Sequence, residues 1–215
     1  MRIIRAADYR RMAWKNGGGS TTEVAAAPAD ATLDNFDWRI SMAHVATPGP
    51  FSQFAGVDRS LAVINGDGIQ LTIAGQTVRL DRTSPPHFFA GDAVTTATLS
   101  DGPIDDLNVM GRRTCCRHRL TRHLVGETFA IPRDADEIFV MPRGGDIMLV
   151  AGTSTASVAN GDAAILDRPD VKGAKEMTLR PGKAPVAEVY LIVFWRLAAP
   201  GTRFPRERSR RTSGP

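Results

Sequence analysis

Several polar residues in this chain are placed where a strand would turn them inward. Glu23 lies in STTEVA, directly after the glycine loop of AWKNGGGSTTEVA (residues 13–25). In WRISMAHV (38–45), Arg39 and Ser41 share the face opposite Trp38 and Ile40, because alternate strand residues point to opposite sides. Asp58 and Arg59 stand where GPFSQFAGVDRSL enters a strand, and DDLNVMGRR (105–113) puts Asp106, Asn108 and Met110 on one face. Buried polar groups need partners, so several of these side chains inside one barrel would form a polar pocket without a metal. Its arginine donors would suit a small anion, since the rigid guanidinium fork matches a carboxylate. Each residue also has a purely structural reading. Glu23 would pair with Arg39 or Arg59, Asn108 would cap irregular backbone, Trp14 would be a lid or core residue, and Gly17–Gly19 would make a tight turn at a barrel edge.

Other chemistries fit the sequence less well. The histidines are His44, His87, His118 and His123, and none forms a close His-x-His pair with a following Glu. In RRTCCRHRLTRH (112–123), the adjacent Cys115 and Cys116 would face opposite ways on a strand, and the surrounding arginines oppose a cation. GGGSTTE has the look of a phosphate cradle, but Lys15 precedes the glycines and no helix start follows. No serine sits in a Gly-x-Ser-x-Gly turn, and no base accompanies Cys115. The residues therefore call for no metal, no cofactor and no catalytic residue, with Glu23 as the alternative acid or base.

The elements that must position these residues are strands. Apolar residues alternate at a period of two through 38–45, 59–80, 95–102, 137–167 and 186–197. Only the stretch near Asp8–Trp14 and the segment SQFAGVD read as single helical turns. GDGIQLTIAGQTVRLDRTSPPHFFAGD (66–92) and GGDIMLVAGTSTASVANGDAAILD (144–167) repeat one order of turns and strands. That repeat predicts an all-β chain of two double-sheet barrels, with a boundary near 110–125.

Composition sets the outer limits. Hydrophobic residues make up 42% of 215, with 20 glycines and 14 prolines, as in a turn-rich globular protein. No apolar run approaches membrane-spanning length, MRIIRAADYRRMAW lacks a signal-peptide core, and the cysteines form no disulfide framework. Cytoplasm without membrane association is the expectation. The net charge of +4 resides in GTRFPRERSRRTSGP (201–215), leaving residues 1–200 formally neutral. That tail reads as a solvated extension without fixed structure, and nucleic acid is not the expected partner.

WKNGGGSTTE (14–23), FDWRISMAHVATPGPFSQFAGVDRSLAVINGDG (36–68), FAGD (89–92) and LSDGPIDDLNVMGRR (99–113) together resemble the HutD/Ves family. The resemblance covers most of residues 1–113, and beyond them only GDAAILD and the strand pattern match. It implies a bicupin, two RmlC-like jelly-roll β-barrels without the metal ligands of enzymatic cupins. The expected domains are an N-terminal barrel over 1–115, a C-terminal barrel over 116–200, and the tail. By position, the family motif falls on Trp14, Lys15, Asn16, Thr22, Glu23, Arg39, Ser41, Ser52, Asp58, Arg59, Asp106 and Asn108. Of these, Trp14, Asn16, Thr22, Glu23, Arg39, Ser41, Arg59 and Asn108 are the expected ligand-binding residues.

The implied role is a non-catalytic small-molecule-binding or regulatory protein of histidine catabolism. Its implied ligand is N-formylglutamate or a similar carboxylate. The alternatives are a metal-independent cupin-type enzyme using Glu23, and a stress-related interaction protein. A homodimer is expected, with VYLIVFW in the final strand as a segment able to bury an open edge.

Overall fold

Alternation along each strand decides which side chains enter a barrel and which face its neighbour. The computed structural model describes residues 1–14 and 17–197. The first strands are β1 (Arg2–Ile4), β2 (Arg10–Ala13), β3 (Gly19–Ala27), β4 (Trp38–Val45), β5 (Gly49–Pro50) and β6 (Val57–Asn65). They are followed by β7 (Ile69–Ile73), β8 (Gln76–Leu80), β9 (His87–Ala90), β10 (Thr95–Leu99) and β11 (Ile104–Arg112). The second half contains β12 (Cys116–Val125), β13 (Phe129–Ala130), β14 (Glu137–Arg143), β15 (Ile147–Ala151), β16 (Ser154–Val158) and β17 (Ala163–Leu166). A short helix, α1 (Arg168–Gly173), precedes β18 (Met177–Pro181) and β19 (Ala187–Arg196). The basic tail lies outside the described residues.

The predicted repeat is a duplication of the whole barrel. One sheet of the first barrel runs β5-β10-β7-β8, and its counterpart in the second runs β13-β18-β15-β16. The facing sheets contain β4-β11-β6-β9 and β12-β19-β14-β17 in matching order. The hairpins 69–80 and 147–158 even share their register, Ile69 opposite Leu80 and Ile147 opposite Val158. Two additions break the symmetry. β2 and β3 extend the first barrel beside β4, while β1 crosses over to pair with β17 of the second. The N-terminal strand therefore joins the sheet of the C-terminal barrel, anchored where Met1's ammonium meets Asp170 at 2.6 Å.

Each barrel has its own apolar core, and a third lies between them. Leu61, Val63, Ile69, Leu71 and Ile104 fill the first, and Ile138, Val140, Leu149, Leu191 and Val193 the second. Trp38, Ile40, Leu107 and Val109 on one sheet pack against Phe139, Tyr190, Ile192 and Phe194 on the other. Trp38 stacks on Phe194 with centroids 4.8 Å apart and meets Phe139 edge-on at 5.2 Å. This is face-to-face sheet packing within one chain. β19 runs between β14 and β12, so VYLIVFW is interior to its sheet rather than an edge, and the first barrel covers its outward apolar face.

Two short segments differ from the sequence expectation. Near Asp8–Trp14 the chain makes a 3-10 turn over Ala6–Asp8 and then β2, because residues 10–13 pair with β3. SQFAGVD forms no helix; a turn at 55–56 leads directly into β6. Among the described residues no helix is long and apolar enough to cross a membrane.

Candidate functional site

The first barrel's lumen is apolar at one end and polar at the other. Cross-strand pairing places Glu23, Ser41, Asn108 and Leu61 in one row across β3, β4, β11 and β6. The next row on the same face runs Arg39, Met110, Arg59 and Phe89. Arg39, Ser41, Arg59, Asp106 and Asn108 are all buried. The structure thus gathers most of the expected site residues, drawn from separate strands, into one enclosure.

The two arginines are held differently. Arg39 donates its Nε to Glu23 Oε2 at 2.6 Å and an Nη to Ser41 Oγ at 3.3 Å. A proton-transferring Glu23 would need to exchange this contact for a substrate atom, so its visible role is to hold the Arg39 guanidinium. Arg59, by contrast, has no carboxylate within ion-pair distance among the described residues. Its guanidinium lies over Phe51, Phe89 and Phe54 at 5.1, 5.3 and 5.8 Å. One Nη donates to the Ser52 carbonyl at 3.2 Å, so Ser52 contributes through its backbone. Burial pushes the Arg59 pKa down to about 10, against the attraction of Asp106, with Arg39 adding repulsion; the group stays charged at neutral pH.

Around Arg59 several polar atoms are buried without a hydrogen-bond partner: its own Nε, Asp106 Oδ1 and Asn108 Oδ1. Each such atom carries a cost that a bound molecule or ordered water removes. Burial pushes Asp106 up to about 7; Arg59 opposes that shift and Asp105 reinforces it. With Glu23 and Arg39 cancelling, protonation of Asp106 leaves Arg59 as the uncompensated lumenal charge, which favours an anion.

Other expected residues lie elsewhere. Trp14 is at the rim, donating Nε1 to Thr21 Oγ1 at 2.8 Å. In the glycine loop, Gly17 takes a φ of +70° in open space, whereas Gly19 is needed for close packing. A Cβ on Gly19 would come within 2.1 Å of the His44 carbonyl oxygen and about 3.0 Å of the Trp14 ring. Thr22 does not join Glu23, because alternation turns it to the outer face, where it lines a cleft of ≈ 330 Å³ with Ser20, His44, Arg11 and Arg143. Asp58 binds Arg113 Nε at 2.6 Å, and Arg113 also binds Asp92, so Asp58 braces strand ends outside the lumen. Lys15 and Asn16 lie outside the described residues. Sequence reasoning missed the phenylalanine ring around Arg59, although Phe51 and Phe54 stand in the same GPFSQF motif and Phe89 opens FAGD.

The comparisons agree with this architecture. The HutD family model matches residues 6–184. A 21.2 kDa protein in the hutC 3′ region of Pseudomonas putida is 39% identical over 110 residues, 51% of this chain and 57% of that protein. Protein Ves of Citrobacter koseri is 36% identical over 151 residues, covering 67% of this chain and 72% of its own. The structure of HutD from Pseudomonas fluorescens superposes with a TM-score of 0.75 at 28% identity, over 92% of this chain and 99% of that one. A cupin 2 conserved barrel domain protein from Leptotrichia buccalis shares the fold alone, with a TM-score of 0.53 at 10% identity over 86% and 95% of the two chains. The duplicated jelly roll, the motif residues in its first lumen and these alignments converge, and the chain belongs to the HutD family.

Proposed function

We propose that this chain is a non-catalytic binding protein of histidine catabolism whose ligand is a small carboxylate of the N-formylglutamate type, held inside the first barrel. The observation that carries this reading is Arg59, buried without a carboxylate partner, its Nε lacking an acceptor as Asp106 Oδ1 and Asn108 Oδ1 in the same barrel lack a donor. A ligand carboxylate supplies the missing acceptor for Arg59, and an amide N–H supplies a donor to Asn108 Oδ1. N-formylglutamate carries both groups. The kinship with HutD and with a protein of a hutC region supports the pathway.

Calorimetric titration with N-formyl-L-glutamate tests the proposal. Saturable heat is expected for the native chain, with at least a tenfold loss of affinity in Arg59→Ala and a smaller loss in Arg59→Lys. Equal affinity in both variants, or no heat at millimolar ligand, overturns it. Circular dichroism of the variants separates lost binding from lost folding.

A further inference from the structure

The cleft on the side of the molecule where edge strands β9 and β12 run has no role in the lumenal site. It has a volume of ≈ 650 Å³, within the range of small-molecule sites. It wraps round the edge of β12, with Phe88 and Leu120 on the face turned to the first barrel and Trp195, across from Arg117, on the other; Phe88 is 56% exposed, unusual for so large an apolar side chain. At the floor, His118 Nε2 and Ser60 Oγ share a hydrogen bond of 3.0 Å that links the two barrels. Gly111 makes room for this imidazole, since a Cβ there would stand 2.9 Å from His118 Nδ1.

The charges of the cleft have one sign. Of the arginines in RRTCCRHRLTRH, Arg113 binds Asp58 and Asp92, Arg122 binds Glu188, and Arg112 donates to the carbonyls of Phe36 and Asp34. Arg117 and Arg119 have no carboxylate partner among the described residues, and both line the cleft. Among the described residues no aspartate or glutamate lines it. Arg119 lies over the Trp195 ring at 5.4 Å, leaving the guanidinium edges available to an anion. Burial holds His118 down to about 4, so it is a neutral hydrogen-bonding group at the floor rather than a third cation.

We infer that this cleft is a second binding site, for a small aromatic carboxylate. The flat apolar body lies against Phe88 at the β12 edge and reaches round that edge toward Trp195, and the carboxylate meets Arg117 and Arg119. Charge complementarity selects the acid over a neutral aromatic, and the apolar walls select it over an aliphatic acid such as the lumenal ligand. The inference is independent of the lumenal reading.

Titration calorimetry with 1-naphthoate, and with 1-naphthalenemethanol as the uncharged comparator, tests it on the full chain. Saturable binding of the acid is expected, with the alcohol at least tenfold weaker. Arg117→Ala combined with Arg119→Gln should weaken the acid at least tenfold, and Phe88→Ala should weaken both compounds. Arg59→Ala should change neither. Equal affinity for acid and alcohol, unchanged affinity in the arginine variant, or no heat at millimolar 1-naphthoate overturns the inference. The arginines sit on an edge strand, and unchanged melting of their variant shows that the comparison is between folded proteins.

Discussion

Asp106 is a fully buried carboxyl group whose pKa is pushed from an ordinary 3.8 to about 7, which makes Asp106→Asn an informative perturbation. Below pH 3.8 the group is protonated in both the folded and unfolded chain and contributes nothing to pH dependence. As pH rises from there, the unfolded chain releases the proton while the folded one retains it, so the native state loses stability until about pH 7 and then levels off. The whole interval corresponds to a cost of about 4 kcal/mol, of which about 3 kcal/mol accrues between pH 5 and pH 8. Asparagine keeps the shape and remains neutral. The difference in Tm between Asp106→Asn and the native chain should therefore grow from pH 5 to pH 8, by about 6–12 °C for a chain of this size. Differential scanning calorimetry at matched ionic strength measures it. Taking the difference removes His118, which acts in the opposite sense because its depressed pKa costs stability as pH falls through its range. Parallel Tm curves for the two proteins would refute the assignment of a neutral, desolvated Asp106.

Three further outcomes follow from the same geometry. Anion binding in the lumen should weaken above pH 7 by up to about tenfold per pH unit, because an ionised Asp106 must first take up a proton; titrations at pH 6, 7 and 8 read this directly. Gly19→Ala should cost about 3 kcal/mol or more, with Tm down by about 6–12 °C, because the new methyl group meets the His44 backbone oxygen. Trp38→Ala should cost about 3–5 kcal/mol through lost packing on Phe194 and Phe139, with the loss spread over both barrels in calorimetry.

The alternating strands were legible in the sequence, and WRISMAHV coincides with β4. So was the lumenal set, because Arg39 and Ser41 alternate with Trp38 and Ile40. Their alternation reflects two different buried faces, the lumen on one side and the opposing sheet on the other. β12 was hidden inside RRTCCRHRLTRH, since an edge strand beside an open cleft carries arginine and histidine where an inner strand carries apolar residues. α1 is too short for a helical period, although its capping box from Asp167 to Asp170, with Pro169 in the first turn, was a readable start signal. β1 pairs with residues 163–165, a contact that no local pattern can announce. Thr22 shows the limit of motif membership. Its place in WKNGGGSTTE groups it with Glu23, but strand alternation puts the two on opposite faces.

The central claim is that a small carboxylate occupies the first lumen against Arg59. A crystal structure of the chain grown with N-formyl-L-glutamate tests this most directly. The expected result is ligand density inside the first barrel, with a carboxylate oxygen about 2.7–3.0 Å from Arg59 Nε and an amide nitrogen facing Asn108. An empty or water-filled lumen at saturating ligand, or density confined to the clefts outside the barrel, would contradict it.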